Sequence, residues 1–451
     1  MVKLCVSANR RFLADENGHP FFYLADTAWE LFHRCTREEA DRYLVDRAAK
    51  GFTVIQAVVL AELDGLTEPN AYGHLPLVDR DPTRPNEAYF EHVDYIVERA
   101  EALGLFIGML PTWGKYVTDV WQEHQVIFEE DSARWFGEYL GRRYRDRQII
   151  WILGGDRPAD GRLHVYRAMA EGLRAGDGGQ HLIGYHPQGQ RSSSIWAHQE
   201  PWLDINMCQS GHLRRSNENW AMIAADYALQ PPKPCLDAEP CYEEIAVGFN
   251  PGNGYFGAHD VRKAAYWAVF SGAAGHTYGC SNIWQMYAPG RRPILHSTKP
   301  WYESLDLPGA FDMRHLKALM LSRPYFTRIP DQSLILSNRL DPPGKLSPCG
   351  SDDYVAVTRD GSPGQRDATY LMAYFPMLRS IHLDTSVIAG ERLRAWWYDP
   401  REGVATLIGE MANPGHWETP RLTSGPDWVL VIDDAACGYP PPGQRGAELP
   451  R

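Results

Sequence analysis

Ile149-Ile150-Trp151-Ile152-Leu153-Gly154-Gly155-Asp156 is the stretch whose reading decides the fold. Its run of apolar residues, without polar alternation, suits a strand buried on both faces, as in a parallel sheet covered by helices. The two glycines that follow let the backbone turn tightly, and the turn exposes the acidic side chain of Asp156.

Toward the N-terminus, Ser132 to Arg145 has helical spacing, with Trp135, Phe136, Tyr139 and Leu140 inward. Leu105 to Leu110 is a strand. The helix before it starts at Glu87, carries Phe90, Val93, Ile96, Val97, Ala100 and Leu103 on one side, and ends at Gly104. Val54 to Leu60 is a further apolar strand. The helix ahead of it is capped by Thr36 with Glu39 as capping-box partner and closed by Gly51. Phe21 to Ala25 is the first strand of the series. Toward the C-terminus, Leu182 to Tyr185, Ile205 to Met207, Pro234 to Leu236 and Gly275 to Tyr278 supply four more, with the clearest intervening helix from Asp260 to Ser271. Eight strand–helix pairs are the count of a (β/α)8 TIM barrel, an α/β fold. An open doubly wound sheet is the alternative, but no Gly-rich phosphate loop follows the first strand.

Past Leu321 the texture changes. Arg323-Pro324 and Ile329-Pro330 break the last helix, and short alternating runs take over at Tyr354 to Thr358, Thr369 to Tyr374, Leu393 to Tyr398 and Trp428 to Ile432. The expected organisation is a catalytic barrel over 1–325, a small antiparallel β-sandwich over 326–438, and a disordered Pro- and Gly-rich tail over 439–451.

The net charge of −12 over 451 residues excludes the basic footprint that a nucleic-acid partner requires. No run of apolar residues is long enough for a membrane span. The N-terminus lacks the charged-then-apolar pattern of an export signal, which gives the expectation of a cytoplasmic protein. The eight cysteines form no CxxC pair, so they read as buried free thiols. Fifteen Trp and 23 Tyr are many for this length; such rings stack on the apolar faces of sugars, or equally fill cores.

Active sites of barrel enzymes lie at the C-terminal ends of the strands, and the residues there are polar. The first strand runs into Asp26 and Trp29, the third into Trp113 and Lys115, the fourth into Asp156, and the fifth into His186. The sixth runs into Gln209 and His212, the seventh into Asp237 and Glu239, and the eighth into His276 and Tyr278. Strands four and seven face each other across the mouth, so Asp156 and Glu239 can share one pocket. Glycoside hydrolysis needs such a pair, one carboxylic acid to protonate the leaving oxygen and one carboxylate to attack or to activate water. Helix capping by Asp156 and an arginine partner for Glu239 are the structural alternatives.

Asp237, two residues before Glu239, shares its face if the strand continues and could orient it or serve as an ion-pair partner. Asp26 is a candidate for sugar hydroxyls or a helix cap. Trp113, Trp284 and Tyr278 are stacking candidates, with core packing as the alternative, and His186 and His212 could bind substrate or orient the acids. No HxH or HExxH spacing indicates a metal site, no GxSxG elbow indicates a serine hydrolase, and no cofactor is implied.

Several segments resemble, in order, the apiosidase-like (β/α)8 glycoside hydrolases. They are Phe22-Tyr23-Leu24-Ala25-Asp26-Thr27-Ala28-Trp29, Trp151-Ile152-Leu153-Gly154-Gly155-Asp156, Tyr185-His186-Pro187, Gln209-Ser210-Gly211-His212 and Asp237-Ala238-Glu239-Pro240. Trp397-Tyr398-Asp399-Pro400-Arg401 is similar to the β domain, named for collagen binding, that often follows such barrels. The resemblance implies Asp156 as general acid/base and Glu239 as nucleophile in a double displacement with retention. It also implies a glycoside as substrate; the family's characterised activity removes apiose-linked side chains from pectin, whereas the expected cytoplasmic location points here to a small or oligomeric glycoside rather than a polymer. Two other classes stay open: a non-catalytic carbohydrate-binding barrel, and a metal-dependent hydrolase or lyase. The sequence does not speak to the oligomeric state.

Overall fold

The structure, a computed structural model, describes residues 2–338, 352–422 and 424–444. Eight parallel strands form the barrel: β1 Tyr23–Thr27, β2 Val54–Leu60, β3 Phe106–Thr112, β4 Ile149–Gly154, β5 Ile183–His186, β6 Asn206–Gln209, β7 Cys235–Asp237 and β8 Gly275–Tyr278. A continuous ladder runs in the order β8-β1-β2-β3-β4-β5, and β6 pairs with β7. The two seams are closed by the Gly184–Ile205 bridge and by the Ala274 N–H donating to the Cys235 carbonyl at 2.9 Å. The open-sheet alternative is therefore excluded.

Helices α1 Arg37–Ala49, α2 Glu87–Ala102, α3 Glu130–Arg143, α4 Leu163–Asp177, α5 Asn219–Ala228, α6 Ala258–Phe270 and α7 Pro308–Met320 wrap the strands. Thr36 and Glu39 make the expected capping box on α1. Phe136 and Leu140 of α3 are buried as read, but Trp135 is not: it is 40 % exposed and stacks on Tyr139 at 5.7 Å. Strand alternation divides the barrel residues by function. Odd positions of β1 point inward, where Tyr23 donates to Gln56 Oε1 at 3.1 Å and Gln56 Nε2 crosses to the Ala238 carbonyl of the β7 turn at 3.1 Å. Even positions face the helices.

Beyond the barrel, two antiparallel sheets face each other, a six-stranded one and a three-stranded one. Strands Ile381–Asp384 and Val404–Ala412 belong to them although the sequence reading passed over both. The inner strands of the six-stranded sheet are buried on both sides. Tyr370, Met372, Tyr374, Val429 and Val431 join the barrel core, while Leu371, Ala373, Phe375, Leu430 and Ile432 fill the sandwich. Buried bidentate ion pairs rivet the junction, Arg262 to Asp427 at 2.7 Å and Arg323 to Asp433 at 2.8 Å.

Two expectations need correction here. The described part of the tail is packed, with the Tyr439 hydroxyl 2.8 Å from Thr369 Oγ1 and the Gly443 N–H on Ser322 Oγ; residues 445–451 lie outside the described residues. Of the cysteines, Cys5 and Cys437 are exposed rather than buried, and Cys349 lies outside the described residues. Among the described residues no helix is long and apolar enough to cross a membrane.

Candidate active site

Three successive residues with left-handed backbone shape the end of β4: Gly154 at φ +88°, Gly155 at +107° and Asp156 at +61°. A Cβ on Gly154 would lie 2.1 Å from the His186 carbonyl oxygen, and one on Gly155 would lie 2.8 Å from the Gly114 amide nitrogen. Only glycine allows both the conformation and this approach. Two hydrogen bonds lock the turn to its neighbours, Gly155 N–H to the His186 carbonyl at 2.9 Å and Gly114 N–H to the Gly155 carbonyl at 3.0 Å. Asp156 is thereby held half-buried at the mouth.

Glu239 lies across from it, buried and fully engaged. Its Oε2 accepts from His186 Nε2 at 3.1 Å, and its Oε1 accepts from Gln209 Nε2 at 2.8 Å and His212 Nε2 at 3.1 Å. The Tyr242 amide donates to His212 Nδ1 at 3.3 Å, which fixes the proton of that ring on Nε2, toward Glu239. His186 is boxed by Trp29 at 5.2 Å and Trp113 at 6.0 Å, and the two indoles touch each other at 5.4 Å. Both tryptophans are buried, so they position the imidazole rather than offer an open stacking face.

A carboxylate oxygen of Asp156, one of Glu239 and a ring nitrogen of His186 all lie within 4.8 Å of one another. Their environments push the two carboxyls apart. Burial and then the Glu239 charge raise the pKa of Asp156. For Glu239 burial acts upward too, but donation from His186 and His212 outweighs it and holds the group well below the usual carboxylate range. His186 is raised in turn, because its bond to Glu239 overcomes the effect of burial. The two carboxyls are thus shifted in opposite directions, Asp156 toward its protonated form and Glu239 toward its ionised form. The same three ligand atoms could surround a cation.

The other strand-end candidates separate cleanly. Gln209 and His212 belong to the cluster. Lys115 lines a pocket of about 570 Å³ together with His33, Arg34, Glu62 and Asn70. Asp26 points away from the mouth, accepting from Tyr43 at 2.7 Å and Arg47 at 2.5 Å in a buried ion pair behind the barrel. Tyr278 shares that outer face and donates to Glu243 at 2.7 Å. His276, two residues earlier on the same face, is buried, and burial lowers its pKa to about 3, which leaves the ring neutral. Trp284 is buried with its Nε1 unpartnered among the described residues.

Asp237 does not share the face of Glu239. β7 ends at Asp237 and the chain turns, so Asp237 faces the helix layer, accepting from Ser210 Oγ at 2.7 Å and Asn219 Nδ2 at 3.0 Å. Its bond to Ser210 braces the loop between Gln209 and His212.

Three site residues were missed. Glu62 lies two residues past the end of β2, lines the pocket, and is pushed up to about 8 by burial and by the charge of Asp156; reading β2 past its end like the other strands would have found it. Gln56, the lone polar residue of β2, supports the Glu239 turn. Phe249 is 40 % exposed, has a left-handed backbone at φ +60°, and sits 5.7 Å from the His212 ring; no sequence signal marks it.

Residues 7–327 match the model of the family "Apiosidase-like, catalytic domain", and residues 329–433 match "Putative collagen-binding domain of a collagenase". Two solved structures are similar over nearly the whole chain. One, described as a glycoside hydrolase, is 35% identical with a TM-score of 0.86, covering 96% of this chain and 97% of its own. The other, a glycoside hydrolase family 5 protein from Bacteroides vulgatus ATCC 8482, is 33% identical with a TM-score of 0.88, covering 99% and 96%. No curated protein matches the chain. With a family model matched over most of its length and a barrel closed around paired carboxyls, this chain belongs to the apiosidase-like family and is a glycoside hydrolase.

Proposed function

We propose that the enzyme hydrolyses glycosides with retention, Glu239 acting as nucleophile and Asp156 as general acid/base. Protonated Asp156 gives its proton to the glycosidic oxygen while ionised Glu239 attacks the anomeric carbon, forming a glycosyl ester and releasing the alcohol. Once Glu239 is esterified its charge is gone, and with it one of the two causes that raise Asp156. Asp156 then takes a proton from water, the water oxygen attacks the anomeric carbon, and the ester bond to Glu239 breaks.

The observation that carries this reading is the close approach of oppositely shifted carboxyls, with oxygens within 4.8 Å. Retaining enzymes hold the pair about 5–5.5 Å apart, whereas inverting ones leave about 6.5–9.5 Å for a water. His186, His212 and Gln209 serve the nucleophile by keeping it ionised and oriented. The substrate is a small or oligomeric glycoside; the pocket of about 570 Å³ is lined by neither Asp156 nor Glu239, and Glu62, whose pKa the Asp156 charge helps to raise, links it to the pair.

A panel of aryl and natural glycosides assayed on wild type, Asp156→Ala and Glu239→Ala tests the assignment. Both variants should lose activity, added azide should rescue aryl glycosides in each, and NMR of the first product should show the substrate's own anomer. A Glu239→Ala enzyme at full rate, or an inverted product, overturns it. Full activity after dialysis against EDTA distinguishes this reading from a metal-dependent one.

A further inference from the structure

The loop between β3 and α3 carries a second arrangement that touches Asp156 from outside the cluster. Arg162 clamps both ends of the segment from 117 to 128, its Nε on the Val117 carbonyl at 2.9 Å and its Nη2 on the Phe128 carbonyl at 2.6 Å. The tip folds on Asp119, which accepts from the His124 amide at 2.7 Å and faces its Nδ1 at 2.9 Å, with Gln122 and His124 both left-handed at φ +56° and +54°. Trp121 stands on this tip, between Asp119 and His124, 53 % exposed, in the loop that follows β3 on the C-terminal face of the barrel.

Arg157 joins this loop to the site. It is buried, it follows Asp156 directly, and its Nη1 donates to the Asp156 carbonyl at 3.1 Å. Its Nε and Nη2 both reach Glu123 Oε2, at 3.0 and 2.7 Å, and its guanidinium carbon lies 3.7 Å from the centroid of the Trp121 ring. One face of the indole is therefore backed by a fixed cation while much of the ring stays open to solvent. A Trp left this exposed forgoes burial of its large apolar surface, and one held flat by an ion-paired arginine loses little freedom when a ligand covers it.

We propose that Trp121 is the platform for the leaving group, and that the leaving group is itself a sugar ring, stacked by its apolar C–H face on the open side of the indole. The assignment of side rests on Asp156 as the proton donor, since the residue that protonates the glycosidic oxygen stands beside the departing unit. The substrate class is then a disaccharide or longer glycan, with alkyl glycosides poor substrates.

The test compares two donors of the sugar that wild-type enzyme releases: the disaccharide, whose leaving group is a ring, and the glycosyl fluoride, whose leaving group is one atom. Trp121→Ala should raise KM for the disaccharide about tenfold and leave kcat/KM for the fluoride within about twofold, and Trp121→Phe should recover most of the loss. Equal losses on both donors would show that the loop is only structural, and no loss on either would show that nothing stacks there; each outcome overturns the proposal. Asp156→Ala in the same assay reports on the underlying assignment separately. It should disable the disaccharide and spare kcat/KM for the fluoride, which departs without a proton, while lowering kcat for the fluoride because Asp156 also activates the water of the second step; failure of that pattern refutes the role of Asp156 whatever Trp121 does.

Discussion

Gly155→Ala is a small perturbation with a large expected effect on catalysis. The added methyl would sit 2.8 Å from the Gly114 nitrogen and 2.9 Å from the Trp113 ring, where ordinary contact begins near 3.4 Å, at a φ of +107° that alanine resists. Relief requires a backbone shift of roughly half an ångström at the residue before Asp156; a misplacement of about 1 Å can cost about a hundredfold, so a loss of about tenfold in kcat is expected. The strain itself costs about 1–2 kcal/mol of stability. Gly161→Ala separates the two effects, because that glycine is also left-handed, at φ +69°, but a Cβ there meets nothing within 4 Å. It should lose the same order of stability and keep its rate. Thermal unfolding followed by dye fluorescence gives the stabilities, and initial rates on the best glycoside of the panel give kcat. Gly155→Ala folded and within threefold of wild-type kcat would refute the idea that this glycine turn positions the acid.

Other outcomes follow from the same contacts. The pH profile of kcat/KM should be a bell: activity is lost as pH falls through the lowered Glu239 and as it rises through the raised Asp156, so His212→Ala, which removes a donor to Glu239, should move the acid limb to higher pH. Asp237→Ala should lower the melting temperature, costing about 1–3 kcal/mol through unpaired Ser210 and Asn219, while retaining far more activity than Glu239→Ala, as differential scanning fluorimetry and rate assays would show. Arg262→Ala strands the buried Asp427 and Asp312 and should cost about 3–5 kcal/mol in urea unfolding, much of it recovered when Asp427 is replaced by leucine as well.

The barrel was legible because buried parallel strands announce themselves as unbroken apolar runs, as at Ile149 to Leu153, and their ends fall where such a run meets glycine or charge. The β strands Ile381–Asp384 and Val404–Ala412 were not, since one is four residues long and the other is a largely exposed edge with a bulge opposite Ala395–Trp396. Trp135 shows the limit of helical spacing: it places a residue near the inward stripe without telling whether the neighbouring helix reaches it. The convergence of Asp156 and Glu239 could be read from strand ends because residues there face a barrel mouth. Asp26 and Tyr278 sit at equally good strand ends but on the helix-facing parity, which residue type alone does not reveal.

Parity also explains why Asp237 and Glu239 part company. Period-two alternation put both on one face, and for Cys235 and Asp237 it holds, since both face the helix layer. It fails at Ala238, whose N–H still pairs with the Cys208 carbonyl while its own carbonyl accepts from Gln56 in the barrel interior. The strand has ended there, and the chain rolls Glu239 into the mouth, where His186, Gln209 and His212 converge on it from β5, the end of β6 and the loop after β6. The nucleophile candidate is thus aimed by the loss of strand geometry rather than by its continuation. A glutamine inside an otherwise apolar β2 is the residue whose hydrogen bond fixes where that loss occurs.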